Sequence, residues 1–377
     1  MAGTDASKSL LHDLENNKSD TTRRKIEHLI ISAKENVEAI KKSPGFSDIE
    51  FIHNSLPEIN KNAILLETEF FGYPVSAPII IAGMTGGHPE TTKINEILAK
   101  AAQKYNIPMG VGSQRAGVEN PDVQDSFKVV RNVAPDIPII GNIGATHIHF
   151  ANKAIEMIDA NVLAVHLNPL QEAVQPEGDV DSRGMLAAIE NLVKKVNIPV
   201  IAKETGAGIS CKVASALVKA KIAGIDVGGA GGTSWSGVEV YRSRNEDSLK
   251  AKVGETFWDW GIPTSVSIIE TRKCGGDKLK IIGTGGIRSG LDAAKAIALG
   301  ADYVGVALPF LNAALNGGLK AVEQLIKQFM EELRVAMYLT GNKTIADLKN
   351  EPVLIFGHTR QWLEALGYDI SDFSKRK

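Results

Sequence analysis

Cysteine is nearly absent: Cys211 and Cys274 are the two in 377 residues. They form no closely spaced metal pair and make a poor disulfide framework, so the expectation is a chain at work in a reducing compartment. No apolar run reaches the 18 residues of a membrane helix, and no membrane span is expected. Residues 1–20 are polar, lack the apolar stretch of a secretory signal and read as a flexible tail. Positive charge is not in excess. The formal net charge of -2 excludes the broad basic field of a nucleic-acid binder, and the run TTRRKIEHL alone reads as one solvated helix face. No glycine cluster continues into the GKS or GKT of a Walker loop. The cluster at 228–232 lacks the spacing and the following acid of a dinucleotide fingerprint. The location these absences suggest is cytoplasmic.

What is present is core material: 44% hydrophobic residues, and 36 glycines gathered after short apolar runs. Residues 21–42 read as a helix that stops before Ser43, Pro44 and Gly45. Short extended pieces fill 46–77. Then a rhythm begins, with strands expected at 78–84, 107–113, 137–145, 162–168, 198–206, 223–232, 279–290 and 301–309, and helical stretches between them. PTSVSIIETRK is rich in β-branched residues, yet reads as helix because a strand there breaks the alternation. Eight such units predict an α/β fold, a (β/α)8 TIM barrel with N-terminal and C-terminal helical extensions. The expected divisions are 1–20, 21–77, a barrel core at 78–310 and a helical extension at 311–377.

Ligands of such barrels meet the C-terminal ends of the strands. GTGGIRSG (283–290) and GVALPF (305–310) follow the seventh and eighth strands, where glycine amides and helix N-termini can receive a phosphate. MTGG (84–87), Ser113, Asn142 and Lys203 end other strands and can surround a flat cofactor such as a flavin. Lys203 then offsets negative charge on the reduced ring, or else simply pairs with Glu204 or another acid. HLNPLQEAVQPEGD (166–179) adds polar residues that are costly to bury. Asn168–Pro169 alone can be a turn and Glu172 a first-turn acid.

Taken in order, RRKIEHL (23–29), MTGG, VGSQR (111–115), GNIGA (141–145), HLNPLQEAVQPEGD, KETGAGIS (203–210), GGAGGTSWSGVE (228–239) and GTGGIRSG resemble the flavin-dependent type 2 isopentenyl-diphosphate isomerases over roughly residues 23–310. The central stretch is the specific one; the glycine loops alone indicate only a flavin barrel. The resemblance implies interconversion of isopentenyl and dimethylallyl diphosphate on reduced FMN, with NADPH or another reductant activating the flavin, Mg2+ on the diphosphate, and a homotetramer or homooctamer. It implies cofactor contacts from Met84, Thr85, Gly86, Ser113, Asn142, Lys203, Thr233, Gly285, Gly286, Arg288, Ala307 and Leu308. It implies substrate contacts from Arg24, Lys25, His28, Arg115, His147, Asn168 and Gln171, with Glu172 on the metal. Arg24 and His28, four apart, share a helix face.

Moving a double bond this way passes through tertiary cationic character, with no acidic C–H for an ordinary base. Flavin N5 is therefore the expected main acid/base, and Gln171, His166 and Glu239 are the protein's catalytic candidates. Glu177 and Asp179 read as solvated loop charges, and Trp235 as a pocket wall or a packed loop residue. Two other flavin or nucleotide barrels are less consistent. A 2-hydroxyacid oxidase carries a histidine base in the loop after its sixth strand, where this chain has none. An inosine-monophosphate-dehydrogenase-like barrel needs a nucleophilic cysteine, which neither Cys211 nor Cys274 is placed to supply. A non-catalytic flavoprotein leaves the Arg24–His28 pair and the Asn168, Gln171, Glu172 group unexplained.

Overall fold

The computed structural model describes residues 20–243 and 248–376. All but the last residue of the expected tail, 1–20, therefore lies outside the described residues.

The strands in chain order are β1 (Ile49–Phe51), β2 (Thr68–Phe70), β3 (Tyr73–Val75), β4 (Ile79–Ile81), β5 (Met109–Gly110), β6 (Ile139–Gly144), β7 (Val162–Leu167), β8 (Val200–Glu204), β9 (Gly224–Asp226), β10 (Lys280–Thr284), β11 (Tyr303–Val306) and β12 (Val353–Ile355). Strands β4 to β11 close a parallel barrel in sequence order, β11 pairing with β4. These are the eight expected strands. They are apolar on both faces because helices cover the outside and side chains fill the inside. TSVSIIETRK lies in the helix Thr264–Gly275, as the alternation required, with Pro263 at the N-cap position just before it.

The hairpin β2–β3 plugs the interior from one end. Phe70 and Val75 pack with Ile80, Ile140, Val162, Ile201, Ile282 and Tyr303, and the Tyr303 hydroxyl donates to the Glu69 carbonyl at 2.5 Å. The C-terminal region returns to the N-terminal one, where β12 pairs antiparallel with β1. The helix Leu308–Thr340 begins directly after β11, runs past residue 310 and bends at Gly318, where φ is 62°.

Two expectations change. The N-terminal helix, Asp20–Lys34, ends sooner than residue 42. Beyond it the chain runs along the loop after β9: Ala39 N donates to Gly232 O at 2.8 Å and Ser234 N to Val37 O at 2.7 Å. Those bonds replace the helical ones, so local propensity yields to tertiary pairing. The cysteines, expected as separate thiols, are joined. Cys211 opens the helix Cys211–Lys219 and Cys274 lies near the end of Thr264–Gly275; their Cα atoms stand 5.3 Å apart although 63 residues separate them. Spacing along the chain carried no information about two helices brought side by side by barrel closure. Among the described residues, no helix is long and apolar enough to cross a membrane.

Candidate active site

Barrel register sets the floor of the site. Gly144 pairs with His166, His166 with Lys203, and Lys203 with Asp226, one row across β6 to β9. Lys203 Nζ therefore meets Asp226 Oδ2 at 2.8 Å. Its acid is Asp226, not Glu204, whose Oε2 instead accepts the amides of Gly206, Ala207 and Gly208. Burial, partly offset by those bonds, pushes the Glu204 carboxyl up to about 7. His166 Nδ1 lies 2.8 Å from Asn142 Oδ1. Burial, with Lys25 and Lys203 nearby, pushes the His166 imidazole down to about 3, so it is neutral near pH 7.

Above this row opens a cavity of about 1520 Å3, open solvent at its mouth included. Met84, Thr85, Ser113, Asn142, Lys203 and Thr233 line it, as do Gly285, Gly286, Arg288, Ala307 and Leu308. Gly86 does not. At φ 137° it instead makes room for the Phe127 ring, which an added Cβ would meet at 2.1 Å.

The β10–β11 end suits the phosphate of a flavin nucleotide. Thr284 Oγ1 is buried without a protein partner and sits beside Gly285 and Gly286, at φ 119° and 69°. A side chain on either glycine would strike the backbone oxygens of Gly229 or Gly231. Leu308 brings the first turn of its helix, the positive end of the helix dipole, to the same wall. Arg288 reaches across to Glu38 at 2.7 Å, so the segment after the N-terminal helix also closes this end.

The N-terminal helix supplies the opposite character. Its apolar side buries Ile26 and Leu29, which leaves Arg24, Lys25 and His28 lining the cavity with Arg115. Lys25 Nζ donates to Ser113 O at 3.0 Å; burial, then Arg24, lowers its ammonium to about 7. His147 does not line the cavity. It lies behind His166 in the turn Ala145–Phe150, stacked on Phe150, and burial followed by the Arg115 charge lowers its imidazole.

The stretch after β7 folds as a short helix, Pro169–Val174, with proline at its start. Asn168 Nδ2 donates to Glu172 Oε1 at 2.9 Å, while Gln175 Nε2 and Asp179 N hold Oε2 at 2.5 and 2.8 Å. Asn168, Gln171 and Glu172 all face the cavity. Among the described residues, no group of three or more His, Cys, Asp or Glu could cage a metal. One carboxylate is nevertheless enough for Mg2+, which takes its other ligands from water and phosphate.

Glu239 is 1% exposed and forms no part of the cavity wall. Its Oε1 receives His28 at 2.8 Å and Gln171 at 2.9 Å. Burial alone would raise this carboxyl, but His28, Gln171 and Arg242 outweigh it and hold the group near 2. Trp235 walls the cavity, edge-on to His28 at 5.3 Å. Glu177, read as solvated, pairs with Arg242 at 2.5 Å and Arg24 at 3.5 Å. Sequence reasoning missed Arg242 because nothing local marks an arginine that joins Glu239 on its own helix to Glu27 and Glu177 on two distant segments.

The chain matches the family model of the FMN-dependent dehydrogenases over residues 18–126 and 175–354. Among solved structures, a lactate oxidase of Pediococcus acidilactici aligns with TM-score 0.67 and 18% identity, over 93% of this chain and 94% of that one. A mandelate oxidase gives 0.61 and 18%, over 92% and 98%; at such identities the likeness is one of fold. The chain thus belongs to the FMN-dependent dehydrogenase class of barrels.

Within that class it belongs to the isopentenyl-diphosphate delta-isomerases. It is 50% identical to the one from Methanothermobacter thermautotrophicus, over 94% of this chain and 99% of that protein. It is 49% identical to the one from Methanosarcina mazei, over 94% and 97%.

Proposed function

We propose that this cavity interconverts isopentenyl and dimethylallyl diphosphate, the reaction of its family, with FMN anchored at β10–β11 and the substrate's diphosphate under the N-terminal helix. One observation carries this reading. A glycine-lined phosphate cradle and a separate cationic group, Arg24, Lys25 and His28, line the same cavity. Two anionic ligands therefore have two receiving ends.

Reduced FMN, when bound, supplies an electron-rich ring and an N5 able to exchange a proton. NADPH is the reductant that fits the redox-neutral reading. Lys203, held by Asp226, places a cation at the floor of the cavity, where it offsets charge on a reduced ring. Thr284, Gly285, Gly286, Ala307 and Leu308 receive the cofactor phosphate, with Arg288 closing that end. Met84, Thr85, Gly86, Ser113, Asn142 and Thr233 set the ring's position, Gly86 by backbone packing. Neutral His166 orients the Asn142 amide and is not an acid near neutral pH. Glu172, steadied by Asn168 and Gln175, is the carboxylate for Mg2+ on the diphosphate. Arg115 lines the diphosphate end and His147 supports it from behind. Gln171 and ionised Glu239 fix a polar edge beside the alkene, where the carboxylate can accept a proton but holds none to give near neutral pH. The apolar and aromatic wall, including Trp235 and Leu311, keeps water from a cationic centre. A homotetramer or homooctamer and a cytoplasmic location accompany the family reading.

The test is product analysis with FMN-loaded protein, anaerobic and with Mg2+. Reduced flavin should give isomer exchange and oxidised flavin none. Oxidation of lactate or mandelate, with bleaching of the flavin, would overturn the reading. The loop GGAGGTSWSG after β9 holds no histidine for that chemistry. Glu172→Gln should raise the Mg2+ requirement about tenfold or more while FMN affinity changes less than about twofold.

A further inference from the structure

Arg242 lies near the end of the helix Trp235–Ser243, outside the cavity wall, where three carboxylates from three parts of the chain converge. Its Nε donates to Glu27 Oε2 at 3.0 Å, on the N-terminal helix. Its Nη2 donates to Glu177 Oε1 at 2.5 Å, on the loop that follows Pro169–Val174. Its Nη1 donates to Glu239 Oε2 at 2.9 Å. Glu177 also lies 3.5 Å from Arg24. The Arg242 side chain is 14% exposed and Glu239 1%, so solvent screens that pair weakly, while Glu177, 40% exposed, is screened more. A planar guanidinium presents donors in several fixed directions at once, which the single ammonium of lysine does not.

The two helix residues have different tasks. Glu27 carries no part of the cavity, but on the same helix Arg24, Lys25 and His28 do. Glu239 lies behind the cavity and holds Gln171 and His28. One side chain therefore ties the cationic helix to the barrel and orients the carboxylate beneath it.

We propose that Arg242 is a positioning residue that latches the N-terminal helix onto the barrel and sets Glu239 in the same act. Closure over the diphosphate and alignment of the Glu239–Gln171 pair then happen together. This rests on the reading of the cavity given above. The latch has a consequence that simple packing does not: it divides into two arms. The Glu27 arm governs how firmly the helix is held, and so affects substrate affinity. The Glu239 arm governs turnover.

The experiment compares full-length FMN-loaded wild type with Arg242→Met, Arg242→Lys and Glu27→Gln. It measures KM and kcat for isopentenyl diphosphate, FMN affinity, and the rate at which trypsin cuts after Lys34. Arg242→Met should speed that cut and raise KM about tenfold each, and lower kcat about a hundredfold. Glu27→Gln should reproduce the faster cut and the higher KM, with kcat falling less than about threefold. Arg242→Lys should recover part of kcat but not the slow cut. FMN affinity within about twofold of wild type shows each barrel to be folded. The latch is overturned if Arg242→Met leaves both the tryptic rate and kcat within about twofold of wild type, or if Glu27→Gln lowers kcat as much as Arg242→Met does. A faster cut in both variants, with no isomerisation by wild type, supports the latch and overturns only the reading of the cavity.

Discussion

Gln171 donates its side-chain amide to Glu239 Oε1 across 2.9 Å, joining the turn after β7 to the helix after β9. The bond ends on a carboxylate kept charged although almost wholly buried, because His28, Gln171 and Arg242 converge on it. Glu239→Gln should lower turnover by about 10²–10⁴-fold, the range of a lost acid/base group, with FMN binding retained. The same substitution should flatten the acid limb of stability. A carboxyl held near 2 stabilises the fold fully above its ordinary value of 4.5 and loses that contribution as pH falls toward 2. Thermal melts from pH 6 to pH 3 should show wild type losing more than Glu239→Gln; parallel curves would remove the assignment.

Lys25 gives a second pH dependence, of opposite origin. Burial and Arg24 bring its ammonium down to about 7, so above that value a diphosphate must draw a proton onto it. Substrate KM should rise from pH 7 to pH 9, and Lys25→Arg should level the profile, since a guanidinium stays charged. Calorimetry at pH 8.5 in buffers of different ionisation enthalpy should report proton uptake on binding. On stability the slope has the same sign as for the carboxylate, but here it reflects a cost at low pH that is relieved as the buried ammonium loses its proton. The unfolded chain holds the proton between about 7 and 10.5, so stability rises with pH across that window.

Thr284 separates cofactor binding from folding. Its hydroxyl is buried without a partner, so Thr284→Val removes no bond within the protein. Apo stability should stay level or increase, while FMN affinity falls about five- to tenfold, equivalent to one hydrogen bond of about 1 kcal/mol. Equal FMN affinity in the two proteins would place the phosphate elsewhere.

The Cys211–Cys274 bond closes a loop across 63 residues. Chain entropy gives such a link about 4 kcal/mol of stability. Reduction, or Cys211→Ser, should lower the melting temperature by several degrees while leaving the isomerisation rate unchanged, because neither residue lines the cavity. A loss of turnover at constant folded fraction would show that the pair does more than hold two helices together.

The barrel was legible because its strands are short apolar runs that end in glycine, and that rhythm survives folding. Most of the cavity was legible for a related reason: strand ends are where a barrel must place its ligands. The exceptions share a cause. Gly86 looked like a ligand contact but is a glycine because of the Phe127 ring. His147 lies outside the cavity lining, in the turn Ala145–Phe150. Glu177 looked like a free surface charge until Arg242 and Arg24 met it from other segments.

By itself, then, the sequence determined the repeating strand–helix order, the positions of the glycine loops and the chemical kinds of group at the strand ends, since periodicity and residue chemistry are local properties. Only the tertiary structure decided the pairings: Lys203 with Asp226, Cys211 with Cys274, and Arg242 with Glu27, Glu177 and Glu239. All but Arg242–Glu239, an i,i+3 pair on one helix, join residues far apart in the chain, and barrel closure and the folded-over N-terminal helix are what bring those within bonding distance.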